Sequence, residues 1–234
     1  MQGIDDFFHE LDLGVDVHEA CSNAFFRLGR DSTWSRGQIA VFAPDYLFWV
    51  RSFPSILAGL VANVRDEESR LFLTEILYSE LGSGTPETMH FKLFQDFLLS
   101  LGVGEEDIKS APRYEETTSL VGGMRTLYSH RDVLIALGAQ YALEKQAFPM
   151  IEQLYAGFKR CSAGGAPRFE YFDLHLVEEP KHLECMRRCV LRHLCTVEDK
   201  SRVAQGANEC LDLIGGFWRR QFIEVSKLQE SQDG

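Results

Sequence analysis

The segment His175-Leu-Val-Glu-Glu179-Pro-Lys-His182 places two imidazoles and a carboxylate at positions i, i+4 and i+7. At 3.6 residues per turn, Glu179 and His182 fall within about 40° of His175 around a helix axis, so the three side chains can converge on one point. Imidazole nitrogen and carboxylate oxygen are donors that divalent iron and manganese accept, and the carboxylate supplies charge that neutral imidazoles lack. Standing alone, such a triplet is also explained by a solvated helix face or a core histidine. Two further segments add donors of the same kind. Glu80 precedes the loop Leu81-Gly-Ser-Gly-Thr-Pro86, and His90 follows it in the first turn of the next expected helix. Glu144, in Tyr141-Ala-Leu-Glu144-Lys-Gln-Ala-Phe148-Pro149, sits on an apolar stripe. A lone buried carboxylate is costly unless it is paired or bound to a metal; Lys145 or a nearby arginine is the plainer partner. Six donors, Glu80, His90, Glu144, His175, Glu179 and His182, suffice for two ions whose carboxylates bridge a gap of about 3.5–4 Å. A ferritin-like centre would need Glu-x-x-His on two helices, and only Glu179 with His182 makes that pair.

These donors must be carried by helices. Apolar residues recur at three-to-four spacing almost throughout, and alternating β-branched runs are scarce, so the expected fold class is all-α. The pattern predicts helices from about Val15 to Gly29, from Ser35 to Val64, from Asp66 to Glu80 and from Glu87 to Leu101. A short turn follows at Glu105 to Lys109, then helices over Ser119–Ser129, Asp132–Lys159, Phe169–Cys195 and Val197–Leu228. Pro44 and Pro54 should start, kink or divide their stretch, and Pro180 should kink or bulge the segment bearing His175 and His182. Residues 1–14 and 229–234 are expected to fray, and 162–167 to form a loop.

The 234 residues, 45% hydrophobic and without long Pro/Gly/Ser or charged tracts, suit one domain with a sizeable core. A net charge of −11 and the lack of a dense Lys/Arg cluster argue against a nucleic-acid partner. No segment reaches the ~20 apolar residues of a membrane span, and the acidic N-terminus lacks the basic start of a signal peptide, so no membrane association and a cytoplasmic location are expected. Six scattered cysteines fit reduced thiols.

In order along the chain, Pro44-Asp-Tyr46, Phe53-Pro54, Leu77-Tyr-Ser-Glu80-Leu-Gly82, His90-Phe-Lys-Leu93, Tyr141-Ala-Leu-Glu144 and Tyr171-Phe172…His175-x3-Glu179-x2-His182 resemble the haem-oxygenase-like dimetal oxidases. That family is related in fold to thiaminase-II and pyrroloquinoline-quinone synthase proteins. The likeness runs from about Cys21 to Cys195. It implies a single haem-oxygenase-like bundle of seven to eight helices, with Glu80, His90, Glu144, His175, Glu179 and His182 as ligands to two Fe2+ ions, manganese being admissible in one site. It further implies dioxygen as co-substrate, an external electron donor in some reactions, and a small-molecule substrate, here expected to be amino-acid-derived. The outcomes implied are C–C cleavage, N-oxygenation, or nitrile or alkene formation in natural-product biosynthesis. A homodimer is compatible with the fold. Glu179 stands where Asp is usual, with Pro180 directly after it. Relatives that consume their own tyrosine to make para-aminobenzoate carry it where this chain has Phe26, which disfavours that activity. A metal-independent thiaminase-II-like enzyme of the same fold and a non-catalytic helical interaction protein are the rival readings.

Overall fold

The computed structural model describes residues 2–161 and 166–230. Ten α-helices are present among them, rather than seven to eight: α1 Gln2–Val17, α2 Ala24–Asp31, α3 Arg36–Asn63, α4 Glu67–Glu80, α5 His90–Ser100, α6 Glu105–Ser110, α7 Glu115–Tyr128, α8 Val133–Phe158, α9 Glu170–His193 and α10 Val197–Glu230. The excess arises in two places. The turn expected near residue 105 closes as the six-residue α6, and the expected helix over residues 15–29 is instead the end of α1 and the separate α2. The Asn23 side chain accepts from Phe26 N–H at 3.0 Å and so starts α2 afresh.

Residues 2–14 are helical, contrary to expectation. Their acidic positions hide an apolar stripe that buries Phe7, Phe8 and Val15. Phe8 packs against the Tyr141 ring at 5.4 Å, and Tyr141 Oη donates to Asp12 at 2.7 Å, which docks α1 onto α8. Helix α10 continues to Glu230, beyond the expected start of fraying, while residues 231–234 and most of the expected 162–167 loop (162–165) lie outside the described residues.

Helix α3 opens with a capping box between Ser35 and Gln38 and runs unbroken through Pro44 and Pro54. Burial of Pro44, Tyr46, Leu47, Phe53 and Leu57 offsets the hydrogen bonds that the two prolines remove. Pro180 likewise lies inside an uninterrupted α9.

Helices α8 and α10 cross at glycines on both sides. A Cβ on Gly138 would overlap the Val203 carbonyl, and one on Gly206 would overlap the Ile135 carbonyl, so only glycine lets the backbones approach this closely. Helices α3, α7 and α10 are tied by the fully buried Asp45, which accepts from Thr117 Oγ1, from Gln221 Nε2 at 2.8 Å and from Arg113 Nη1 at 3.2 Å. One contiguous hydrophobic core results, with Phe25, Phe42, Phe94, Phe97, Phe172 and Trp218 among its large rings. Among the described residues no helix is long and apolar enough to cross a membrane.

Candidate metal centre

Glu80 and His90 are brought together by the tight loop between α4 and α5. Gly82, Ser83 and Gly84 all take positive φ, and a Cβ on Gly82 would overlap the Thr85 carbonyl and the Met89 amide. Side chains lock the turn: Tyr78 Oη donates to Ser83 O at 2.7 Å, and Thr88 Oγ1 donates to Gly82 O at 2.8 Å. Glu80 is thus the last residue of α4 and His90 the first of α5, with Oε2 and Nδ1 3.0 Å apart.

The remaining donors come from α8 and α9. Glu144 lies mid-way along α8, and His175, Glu179 and His182 project from one face of α9 as the heptad-like spacing predicts. All six expected ligands are buried, none more than 6% exposed, and they form two groups. Glu80, His90 and His175 make one and Glu144, Glu179 and His182 the other, with the ligand atoms of each group within 4.8 Å of one another. His175 Nε2 and Glu179 Oε1, 3.9 Å apart, join the two groups.

Lys145 is not the partner of Glu144, because it pairs with Asp16 at 2.8 Å. Instead a buried chain reaches the carboxylate: Tyr128 Oη donates to Gln140 Oε1, and Gln140 Nε2 donates to Glu144 Oε1. That leaves Oε2 facing His182 Nδ1 at 3.5 Å. The His175 ring is held similarly, with Nδ1 2.6 Å from the Tyr171 carbonyl one turn earlier. A histidine that donates Nδ1–H to a carbonyl presents an unprotonated Nε2, the form a metal takes. Gln140 escaped the sequence reading, and Tyr171 entered it only as part of a matching segment, although each stands four residues before a candidate ligand, a spacing at which helical neighbours touch.

His90 Nε2, His182 Nε2 and Glu179 Oε2 are buried without a hydrogen-bond partner, while the Nδ1 atoms of the two rings meet only the Glu80 and Glu144 carboxylates. So many orphaned donor and acceptor atoms in one small volume would be costly in a purely structural core. They fit a centre whose ions replace the missing partners. The electrostatics agree. Burial and the neighbouring His90 press the His175 imidazole down to about 3, keeping it neutral. Burial alone would raise Glu80, but His90, His175 and His182 outweigh it and hold the carboxylate at about 2. Glu179 is pushed well above the ordinary carboxylate range by burial and by Glu144 and Glu80. Burial would lower His182, yet Glu144 raises it above its ordinary value. Three acids and three imidazoles crowded together without a counter-charge thus force protons onto some of them, which two cations would relieve.

A cavity opens beside both groups, bounded by Glu80, Glu144, His175 and Glu179 and otherwise by aromatic and apolar side chains, including Trp49, Phe53 and Met150. Tyr46 and Tyr171 meet in its wall with their hydroxyls 3.0 Å apart, and burial raises both phenols above their ordinary values, so they stay protonated.

The family model for iron-containing redox enzymes matches residues 40–215, a span that contains all six buried donors. The chain belongs to this family of iron-containing redox enzymes. Among relatives, it is 27% identical over 207 residues to a 4-aminobenzoate synthase of Chlamydia pneumoniae, covering 88% of this chain and 91% of that protein. It is 25% identical over 215 residues to a 4-chloro-allylglycine synthase of Streptantibioticus cattleyicolor, covering 91% of this chain and 82% of that one. A solved structure from Shewanella denitrificans, described as having a haem-oxygenase-like fold, superposes with a TM-score of 0.78 at 16% identity over 96% of this chain and 94% of that one. The fold is therefore haem-oxygenase-like, and the family and its synthase relatives support an oxidoreductase.

Proposed function

We propose that this chain is a non-haem diiron oxidase that activates dioxygen to oxidise a small, amino-acid-derived molecule in a biosynthetic reaction. The observation that carries the reading is the pairing of two buried three-residue donor groups, each with an unpartnered imidazole nitrogen, with an aromatic cavity at their edge. Glu80, His90 and His175 would hold one ion and Glu144, Glu179 and His182 the other, with Glu179 next to both groups. The mixed nitrogen and oxygen donor set suits divalent iron and accepts manganese in one site. When bound, the ions supply the electrons and Lewis acidity for reduction of dioxygen.

The chain's own residues supply the rest. Gln140 and Tyr128 fix the rotation of the Glu144 carboxylate, and the Tyr171 carbonyl fixes the His175 ring. The cavity walls beside the two groups are mostly aromatic and apolar, which disfavours water near the reacting atoms. Arg and Lys, candidate clamps for a substrate carboxylate, are absent from the described residues that line it. Three carboxylates against two divalent cations leave net positive charge, which offers a substrate carboxylate its counter-charge instead. The name of the 4-chloro-allylglycine synthase, which refers to an amino acid, supports the substrate class.

Anaerobic Fe2+ titration followed by exposure to air tests this reading. Uptake of two ions per chain and a transient visible absorption on oxygen addition are expected, followed by turnover of amino acids from a panel that includes fatty acids. Uptake of none, with activity that survives chelation, would instead support a metal-independent enzyme. Turnover of fatty acids alone would reject the substrate class.

A further inference from the structure

Two of the described residues lining the cavity have a buried side-chain atom without a partner: Glu179, a candidate ligand, and Gln146, which is not one. Gln146 is 3% exposed, and its Nε2 donates to the Leu143 carbonyl at 3.1 Å. A carbonyl only accepts, so the amide must keep its nitrogen on that side and its oxygen free. Oε1 is left as a buried acceptor with nothing to accept from. Such an atom costs free energy in the empty protein, and a ligand that donates to it recovers that cost.

We propose that Gln146 selects the substrate: the part of it lying in the cavity is neutral and apolar, with one N–H or O–H donor that meets Gln146 Oε1. Indole, phenol, alcohol and secondary-amide groups share this chemistry. A side-chain ammonium does not fit. It brings three donors and a charge, while the neutral acceptor is single and the nearby carboxylates are committed to the ions, so this inference rests on the dimetal reading. Trp49, Phe53, Leu143 and Met150 suit an apolar or aromatic body. Sites built to receive a donor reject isosteres that lack it far more strongly than apolar pockets reject a change of shape.

The test uses three probes on protein loaded with Mn2+ under nitrogen: indole, indene, which has the same shape without the N–H, and butylammonium. Binding is measured by calorimetry and metal content on the same samples. Wild type should bind indole about tenfold more tightly than indene, with butylammonium weaker than indole. Gln146→Leu should abolish the preference for indole, and Gln146→Met provides a second, unbranched replacement if the leucine variant folds poorly. Equal binding of indole and indene by wild type, binding of neither, butylammonium as the tightest probe, or a preference surviving in both variants would overturn the inference. A metal content of two with no indole preference sinks this inference alone; a content below two sinks the dimetal reading whatever the probes do.

Discussion

If the two donor groups hold separate ions, metal should stabilise the fold in two roughly equal steps, and removing one imidazole should delete one step. His90→Ala strips a nitrogen from the group with Glu80 and His175, and His182→Ala strips one from the group with Glu144 and Glu179. At free metal one hundred times the dissociation constant, each ion that binds only the folded state adds about 2.7 kcal/mol, so two add about 5 kcal/mol. For a domain of this length each kcal/mol moves the melting temperature by about 2–4 °C. Wild type should therefore gain about 11–22 °C on saturation, and each single variant about 5–11 °C. Scanning calorimetry with Mn2+ under nitrogen reads these shifts without oxygen chemistry. Taking each shift against the same variant without metal cancels the direct effect of removing a buried imidazole. A wild-type gain no larger than that of the His90→Ala/His182→Ala double variant would refute the assignment. A single variant that loses the entire shift would refute the independence of the two groups.

Three other perturbations follow from the same geometry. Gln140→Leu cuts the chain from Tyr128 to Glu144, and should weaken one of the two ions by about 10–100-fold in chelator competition while leaving the other unchanged. Glu179 and His182 both have proton affinities raised above their ordinary values, so the metal-free centre carries protons that an ion must displace. Metal affinity should then rise with pH, and fall as pH drops from above the ordinary imidazole range, by up to about tenfold per pH unit for each proton displaced; His175, held neutral down to about 3, contributes nothing there. Calorimetry in buffers of different ionisation heats should show proton release, and a pH-independent affinity would contradict the electrostatic account. Gly206→Ala forces a methyl against the Ile135 carbonyl and should cost about 1–3 kcal/mol in urea unfolding, whereas Gly59→Ala, in open space on α3, should cost nothing measurable.

Sequence alone determined the all-helical class, because helical periodicity is a local property written into successive apolar residues. It also offered the six donors as candidates, since imidazoles and carboxylates at these spacings could form a buried polar cluster, and the resemblance to the dimetal oxidases gathered them into one set. The loop between Glu80 and His90 was legible for the same local reason. The helical N-terminus was not: Asp5, Asp6 and Glu10 face solvent, and the packing that supports residues 2–14 as a helix comes from Tyr141 of α8 and from Lys200 and its neighbours on α10, more than a hundred positions away. Pro44 and Pro54 do not divide their helix, because their local penalty is outweighed by packing that only the assembled core provides. Tertiary structure alone decided how the six donors divide into two groups, that Lys145 turns away to Asp16, and that Gln146, with its carbonyl oxygen unpartnered, lines a cavity. Those outcomes depend on how α4, α5, α8 and α9 are rotated about their axes relative to one another. Spacing within a helix fixes which residues share a face, and only packing fixes what that face meets.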